Sequence, residues 1–276
     1  MNHPTPTASR PAVRFGRSRL AAVALVAALV GSGTACSTAA SDLAVAEAPV
    51  ATAADPSTAA GAVAREEVPD TSVAHRAVVT APTLEVRDRP GGDVLATLTD
   101  RTDFGSARVL LVEDQQDGWV RVRLPVRPNG QTGWVPATSV TLEPVGASVE
   151  ISLDERTLTL LQDGRPVLVT PVAIGSDDNP TPTGRFFVTD KLESPEPGGA
   201  YGPYAVGLSG YSDTLTEFAG GNGQIGLHGT NDPGSIGEAV SHGCIRVPNS
   251  VISELAQRLP LGTPVTIVDD RADREA

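Results

Sequence analysis

The alternation of apolar and polar positions divides the chain into four stretches. Residues 20–30 are continuously apolar. Residues 37–75 show no period: Ala, Ser, Thr, Pro and Val dominate, with scattered acids and almost no aromatic or large aliphatic side chain. From 77 to 143, short β-type runs recur at 78–79, 84–86, 94–98, 109–112, 119–124 and 134–135. Turn signals separate them at Pro90-Gly91-Gly92, Asp117-Gly118 and Pro128-Asn129-Gly130. Val120-Arg121-Val122-Arg123-Leu124 alternates apolar and basic, as a half-buried strand does. Several short strands in so short a span predict a small barrel. Residues 148–269 read as a second β-rich unit. Positions 149–153 alternate, and 156–161 lead through Asp163-Gly164 into 167–174 as a hairpin. One helix is predicted over 249–259, with Val251, Ile252, Leu255 and Leu259 on one face and Pro260 ending it. A last strand is predicted over 264–268. The fold class expected is mainly β: a small barrel, then a larger β-rich domain with one C-terminal helix.

Composition changes this picture mostly at the amino terminus of the 276-residue chain. Arg10, Arg14, Arg17 and Arg19 precede the apolar run without a single acid, and residues 31–35 are all small. That order is an export signal, so 1–35 is set aside from the fold. The apolar run is too short to span a bilayer as a mature helix. Cys36 follows directly and resembles the lipidated cysteine of a bacterial lipoprotein signal, although Gly33 stands where such signals usually carry Leu. The alternative is an ordinary secretory signal cleaved near Ala35. Both place the protein outside the cytoplasm, either on the outer face of the plasma membrane through Cys36 or in the cell wall or periplasm. Residues 36–76 read as a flexible tether, unable to bury enough apolar surface to offset ordering, and 270–276 as a tail. The formal charge is −12, and removing the four signal arginines takes it to −16. So acidic a chain is a poor nucleic-acid binder, since that affinity rests on Lys and Arg neutralising phosphates.

Of the two cysteines, Cys36 is lipidated or removed on this reading, which leaves Cys244 without a disulfide partner. An unpaired cysteine in an exported protein is either a small buried hydrophobe or a reactive group. His228 and His242 lie close by, whereas His3 belongs to the signal and His75 to the tether. A thiol is a useful nucleophile as thiolate, and with an ordinary pKa near ~8.5 it needs a nearby base or positive field. Gly243 sits immediately before Cys244, where the backbone passes close or takes positive φ. Backbone N–H groups there could face an oxyanion. No glycine-rich dinucleotide loop and no strong metal-ligand spacing is present, so neither a cofactor nor a metal is expected.

The stretch IGLHGTNDPGSIGEAVSHGCIRV resembles the active-site signature of the L,D-transpeptidase (YkuD-type) catalytic domain. The similarity extends upstream to VAIGSDDNPTPTGRFFV and GPYAVGLSGYSD, and so covers 148–269. LEVRDRP and QTGWVPATSV resemble the first and closing strands of bacterial SH3-like domains, within 77–143. The first resemblance implies Cys244 as the acylated nucleophile and His228 as base and later acid, with the Gly229 carbonyl fixing its tautomer. It implies His242 and Gly243 as supports of the loop and oxyanion site, and Arg246 and Tyr211 as substrate-binding residues. Arg246 stands where many members carry asparagine. The implied reaction joins peptidoglycan stem peptides by 3→3 cross-links, with hydrolysis making the same site an L,D-carboxypeptidase and with carbapenem-type compounds as inhibitors.

Three other readings compete. An NlpC/P60-type cysteine peptidase places its cysteine before its histidine, the reverse of the order in this chain. A zinc hydrolase using His228, His242, Cys244 and Asp232 lacks a recognisable ligand motif. A non-catalytic wall-binding scaffold has no need of both His228 and Cys244. The 77–143 segment has neither cysteine nor histidine, so its expected role is positioning or wall binding, and a chain beginning at Ser148 is expected to be acylated without it.

Overall fold

The computed structural model describes residues 73–218 and 220–269. The proposed signal, Cys36, nearly all of the tether and the tail lie outside them. The described chain is mainly β.

Seven strands form the first sheet: β1 (Ala74–Val79), β2 (Thr83–Arg87), β3 (Val94–Thr99), β4 (Val109–Gln116), β5 (Trp119–Arg123), β6 (Thr132–Pro136) and β7 (Val140–Val145). Their order is β3-β2-β6-β5-β4-β1-β7, with every neighbouring pair antiparallel. The expected alternation holds in β5, where Val120 and Val122 are buried and Arg121 is exposed. His75 lies in β1, paired with Pro144 of β7, and not in a tether: the segment 74–79 is held between β4 and β7 by backbone pairing on both sides.

Only Gly146 separates β7 from the second unit. Its strands are β8 (Ala147–Ser152), β9 (Thr157–Gln162), β10 (Arg165–Pro171), β11 (Ile174–Gly175), β12 (Gly184–Glu193), β13 (Tyr204–Tyr211), β14 (Gln224–His228), β15 (Ala239–Ser241), β16 (Ile245–Arg246) and β17 (Pro264–Val268). Eight of them form a sheet ordered β10-β9-β8-β17-β12-β13-β14-β16, and β11 pairs with β15 separately. Within the sheet, β8–β17 and β14–β16 are parallel. The helix α1 (Asn249–Arg258) buries Ile252 and Leu255 against the sheet, and Leu259 beyond its end is also buried.

The two units are interlocked. Phe186 and Val188 of β12 belong to the larger core, but Phe187 between them is fully buried in the core of the small sheet, beside Leu84, Leu110 and Val122. A strand covered on both faces reads as a continuous apolar run, which FFV is. A register shift between Val188 and Asp190 re-aims the strand, and the buried Asp190 carboxylate accepts a hydrogen bond from Thr102 of the small domain. Arg76 donates to the Leu261 carbonyl at 2.9 Å while also pairing with Glu143. Glu113 of β4 bridges Arg123 of its own domain at 2.7 Å and Arg185 of the other at 3.0 Å.

This packing reverses the expectation for a chain beginning at Ser148. Removing the small domain strips Phe187 of its core and leaves Asp190 without its Thr102 hydroxyl, so the remainder loses part of its own support. Phe187→Ala is expected to cost ~3–5 kcal/mol, the range for a buried aromatic. Both tryptophans, Trp119 and Trp134, lie in the small domain. Urea unfolding followed by tryptophan fluorescence should therefore register this substitution in the other domain. An unchanged midpoint would show that the two units unfold independently.

Candidate active site

Parallel pairing of β14 with β16 sets Leu227 beside Ile245 and His228 beside Arg246. Cys244 immediately precedes β16. His228 and Cys244 thus arrive at the same wall of a cleft of about 610 Å³, also lined by Phe104, Tyr201, Phe218 and Ile225. Cys244 is half-buried, while His228 is buried. His228 Nδ1–H donates to the Gly229 carbonyl at 2.6 Å. A carbonyl can only accept, so the proton sits on Nδ1 and Nε2 is left with its lone pair.

Backbone geometry holds this corner. An added Cβ at Gly229 would lie 2.3 Å from Asn249 Oδ1 and 2.9 Å from Gly202 Cα. Asn249, the first residue of α1, accepts a hydrogen bond from the Thr230 amide at 2.7 Å, tying the helix start to the residue after Gly229. Tyr201 packs its ring 4.7 Å from that of His228, tilted by 50°.

The turn before Cys244 is equally fixed. Gly243 has φ +106°, a region that suits glycine. The Ser241 hydroxyl accepts from the Gly243 amide at 3.1 Å and donates to the Cys244 carbonyl. The buried Thr181 hydroxyl donates to the Gly243 carbonyl at 3.0 Å and accepts from the Gly175 amide at 2.9 Å. Because a peptide unit is planar and trans, pinning the Gly243 carbonyl toward Thr181 turns the Cys244 amide to the opposite side. The Gly243 amide, expected from the sequence to serve the oxyanion site, is engaged by Ser241.

Burial pushes the Cys244 thiol above its ordinary range, opposed by a hydrogen bond from the Gly226 backbone and by the charge of Arg246. Burial lowers His228 to about 4, with the Gly229 hydrogen bond opposing and Arg246 adding to the fall. At neutral pH the pair is therefore a thiol beside a neutral imidazole. Raising the thiol and lowering the imidazole both act against proton transfer between them, so the thiolate–imidazolium form is the minor one at rest.

The other expected residues are placed as follows. Arg246 is half-buried beside the pair and acts on both members electrostatically. His242 is exposed and stacks on Phe218 at 4.7 Å between ring centroids. Tyr211 does not line the cleft. Its hydroxyl donates to the Pro125 carbonyl at 3.1 Å, and Arg127 stands over its ring at 4.9 Å, so the end of β13 carries it into the junction with the small domain. Tyr201, ten residues earlier, takes the place in the cleft expected for Tyr211. Sequence reasoning also passes over Thr181, Ser241 and Asn249. All three lie within or just beyond the quoted motifs, but their work is to hold backbone, which a motif does not display.

A buried histidine oriented by a carbonyl, beside a cysteine at the wall of a cleft, has the parts that a thiol-based acyl-transfer enzyme needs. Comparison with known proteins narrows the class. The profile of the YkuD-type L,D-transpeptidase catalytic domain matches residues 146–267. YkuD of Bacillus subtilis, named an L,D-transpeptidase, is 35% identical over 150 residues, which span 52% of this chain and 83% of that protein. Its Bacillus licheniformis counterpart is 40% identical over 119 residues, 43% of this chain and 64% of that one. A crystal structure of an L,D-transpeptidase from Mycobacterium tuberculosis H37Rv aligns over 50% of this chain and 72% of its own, at 22% identity and a TM-score of 0.37. The chain belongs to the L,D-transpeptidase family. The small β domain lies outside the matched span.

The neutral pair makes a measurable prediction. Alkylation of Cys244 by iodoacetamide should rise about tenfold per pH unit from pH 5 to 8, as a solitary protonated thiol does. A rate independent of pH across that window would show a preformed ion pair and contradict a neutral resting state.

Proposed function

We propose that this transferase, an L,D-transpeptidase acting on peptidoglycan, works through Cys244 as nucleophile and His228 as base. The observation that carries the reading is the fixed tautomer of His228, whose Nδ1–H is committed to Gly229 and whose Nε2 is free to take a proton at the wall shared with Cys244. Because the resting thiol is neutral, its proton moves to Nε2 as sulfur attacks the carbonyl of the third stem residue. The amide of Cys244, turned away from Thr181, is the donor we assign to the developing oxyanion. Collapse of the tetrahedral intermediate breaks the amide bond to D-alanine, whose nitrogen leaves with the proton from His228. The amine of a neighbouring stem then attacks the thioester, gives its proton to Nε2, and the thiol re-forms. The product is a 3→3 cross-link, whereas water in place of the amine gives an L,D-carboxypeptidase.

A low histidine pKa suits this cycle. A base at about 4 is unprotonated throughout the neutral range, and its conjugate acid gives up the proton readily to a departing amine. Arg246 opposes charge on the imidazole and favours it on the sulfur. It also offers a guanidinium to a substrate carboxylate. The support for an SH3-like reading of the small domain is that QTGWVPATSV supplies β6 and the start of β7. Export, with anchoring through Cys36 or release after cleavage near Ala35, is part of the same proposal and rests on the order of residues 10–36. Carbapenem-type compounds are the expected covalent inhibitors.

The test is incubation of the protein with purified muropeptides and identification of products by mass. Wild type should yield cross-linked dimers lacking one D-alanine, and Cys244→Ala should yield none while keeping its fold. His228→Ala is expected to lose about 10²-fold or more in acylation, and His242→Ala, which removes an exposed ring stacked on Phe218, to lose less. Turnover by Cys244→Ala would sink the mechanism. A larger loss from His242 than from His228 would exchange their roles.

A further inference from the structure

Resting on that reading of the site, we propose that the small β domain completes the substrate cleft, with Phe104 forming one of its walls and Arg127 a positioning residue that holds the flap of residues 212–218 and 220–223. Both residues precede the span that matches the family profile, so the arrangement belongs to how this chain joins its two units.

Phe104 sits in a turn closed by hydrogen bonds from the Gly105 amide to Thr102 at 2.9 Å and from the Thr102 amide to Ser106 at 3.0 Å. It remains 57% exposed while lining the same cleft as Cys244 and His228. The turn is fastened to the catalytic domain by the Thr102 hydroxyl on the buried carboxylate of Asp190. A large aromatic ring held out of its own core and toward a neighbouring active site offers an apolar face to a substrate. Its chemistry suits the aliphatic part of a stem peptide rather than a charged group.

Arg127 acts on the cleft through the flap. Its guanidinium donates to the carbonyls of Ser212 at 2.6 Å, Leu215 at 2.9 Å and Asn222 at 3.2 Å. These three carbonyls lie at the start, inside and near the end of the flap that carries Phe218, Gly220 and Gly221 into the cleft. An added Cβ at Gly223 would lie 2.1 Å from the Leu215 carbonyl and 2.7 Å from Arg127 Nη2, so the clamp closes only around a glycine. Two residues on, Asn129 pairs both ways with the backbone of Tyr211, donating at 2.8 Å and accepting at 2.9 Å. The small domain thus grips the backbone of the flap and of the strand that leads into it.

The test uses the full chain, comparing Phe104→Ala, Arg127→Ala and Arg127→Lys with wild type. Two readouts are needed: kcat and KM on a stem tetrapeptide, and iodoacetamide alkylation of Cys244 at pH 8. Phe104→Ala should raise KM about 5- to 10-fold with kcat within about twofold, as loss of an apolar contact does. Arg127→Ala should lower kcat/KM by about 10-fold or more through a misplaced flap. Arg127→Lys should recover little, since a point charge cannot satisfy three carbonyls at once. Alkylation should stay within about twofold of wild type in all three, because the thiol and imidazole are held by other residues. Wild-type kcat and KM in both Phe104→Ala and Arg127→Lys would overturn the proposal, as would parallel loss of alkylation and turnover, the mark of general damage to the fold. A wild type that is alkylated but never processes a stem peptide would instead bring down the acyl-transfer reading, and the domain's share in it.

Discussion

Two residues of parallel pairing decide where the chemistry sits. Leu227 and His228 run beside Ile245 and Arg246, and parallel neighbours cannot be joined by a tight turn, so the chain must leave the sheet and return. The returning segment includes a 3₁₀ turn at Pro233–Ser235 and the short strand β15, which pairs with β11, and it arrives at Ser241 already tied to a segment whose Ala173 also bridges Arg246. Cys244 is then delivered one residue before the pairing begins. Every feature of the turn, from the positive φ of Gly243 to the hydroxyls of Thr181 and Ser241, serves that delivery. Were β16 to slip by one residue, Arg246 would leave the side of His228 and the thiol would shift with it.

The electrostatics follow from the same placement. Burial acts on both partners, and on each it opposes the charged form. A site that relied on a standing thiolate would have to offset two desolvation terms, and one Arg246 with one Gly226 amide is a small counterweight. On the proposed mechanism, the neutral pair keeps the sulfur protonated until a carbonyl is present, which protects the free thiol of Cys244 from the oxidation that follows thiolate character.

Much of this is legible in the sequence, and the parts that are not share a cause. Alternation locates β5, the face shared by Val251, Ile252, Leu255 and Leu259 locates α1, and the clustering of His228 with Cys244 points to the cleft that both line. These signals are local, or carried by a long motif. The run Phe186-Phe187-Val188 is apolar enough to predict a strand, but nothing in it says that its middle residue fills a different core. Tyr211 and Tyr201 are equally good candidates as letters. The hydrogen-bonded pairing of Tyr211 with Asn129, eighty-two positions away, is what carries it out of the cleft. His75 reads as tether because a composition boundary is not a structural one: the backbone pairing of β1 begins at Ala74 whatever its side chains.

The flap over the cleft shows why a second domain is useful to such a site. Residues 220, 221 and 223 are glycines, and glycine gives up more conformational freedom on ordering than any other residue. A glycine-rich segment has few side chains with which to pack itself down, and its carbonyls still require donors where water is displaced. Arg127 supplies three such bonds from one planar group whose own stem is already anchored in a folded domain. The ordering cost of the flap is thereby transferred to a scaffold that is rigid for other reasons, namely the shared burial of Phe187 and the ion pairs around Glu113. The backbone of the flap can then stay slim enough to leave the cleft open, while its position is set from outside the catalytic domain.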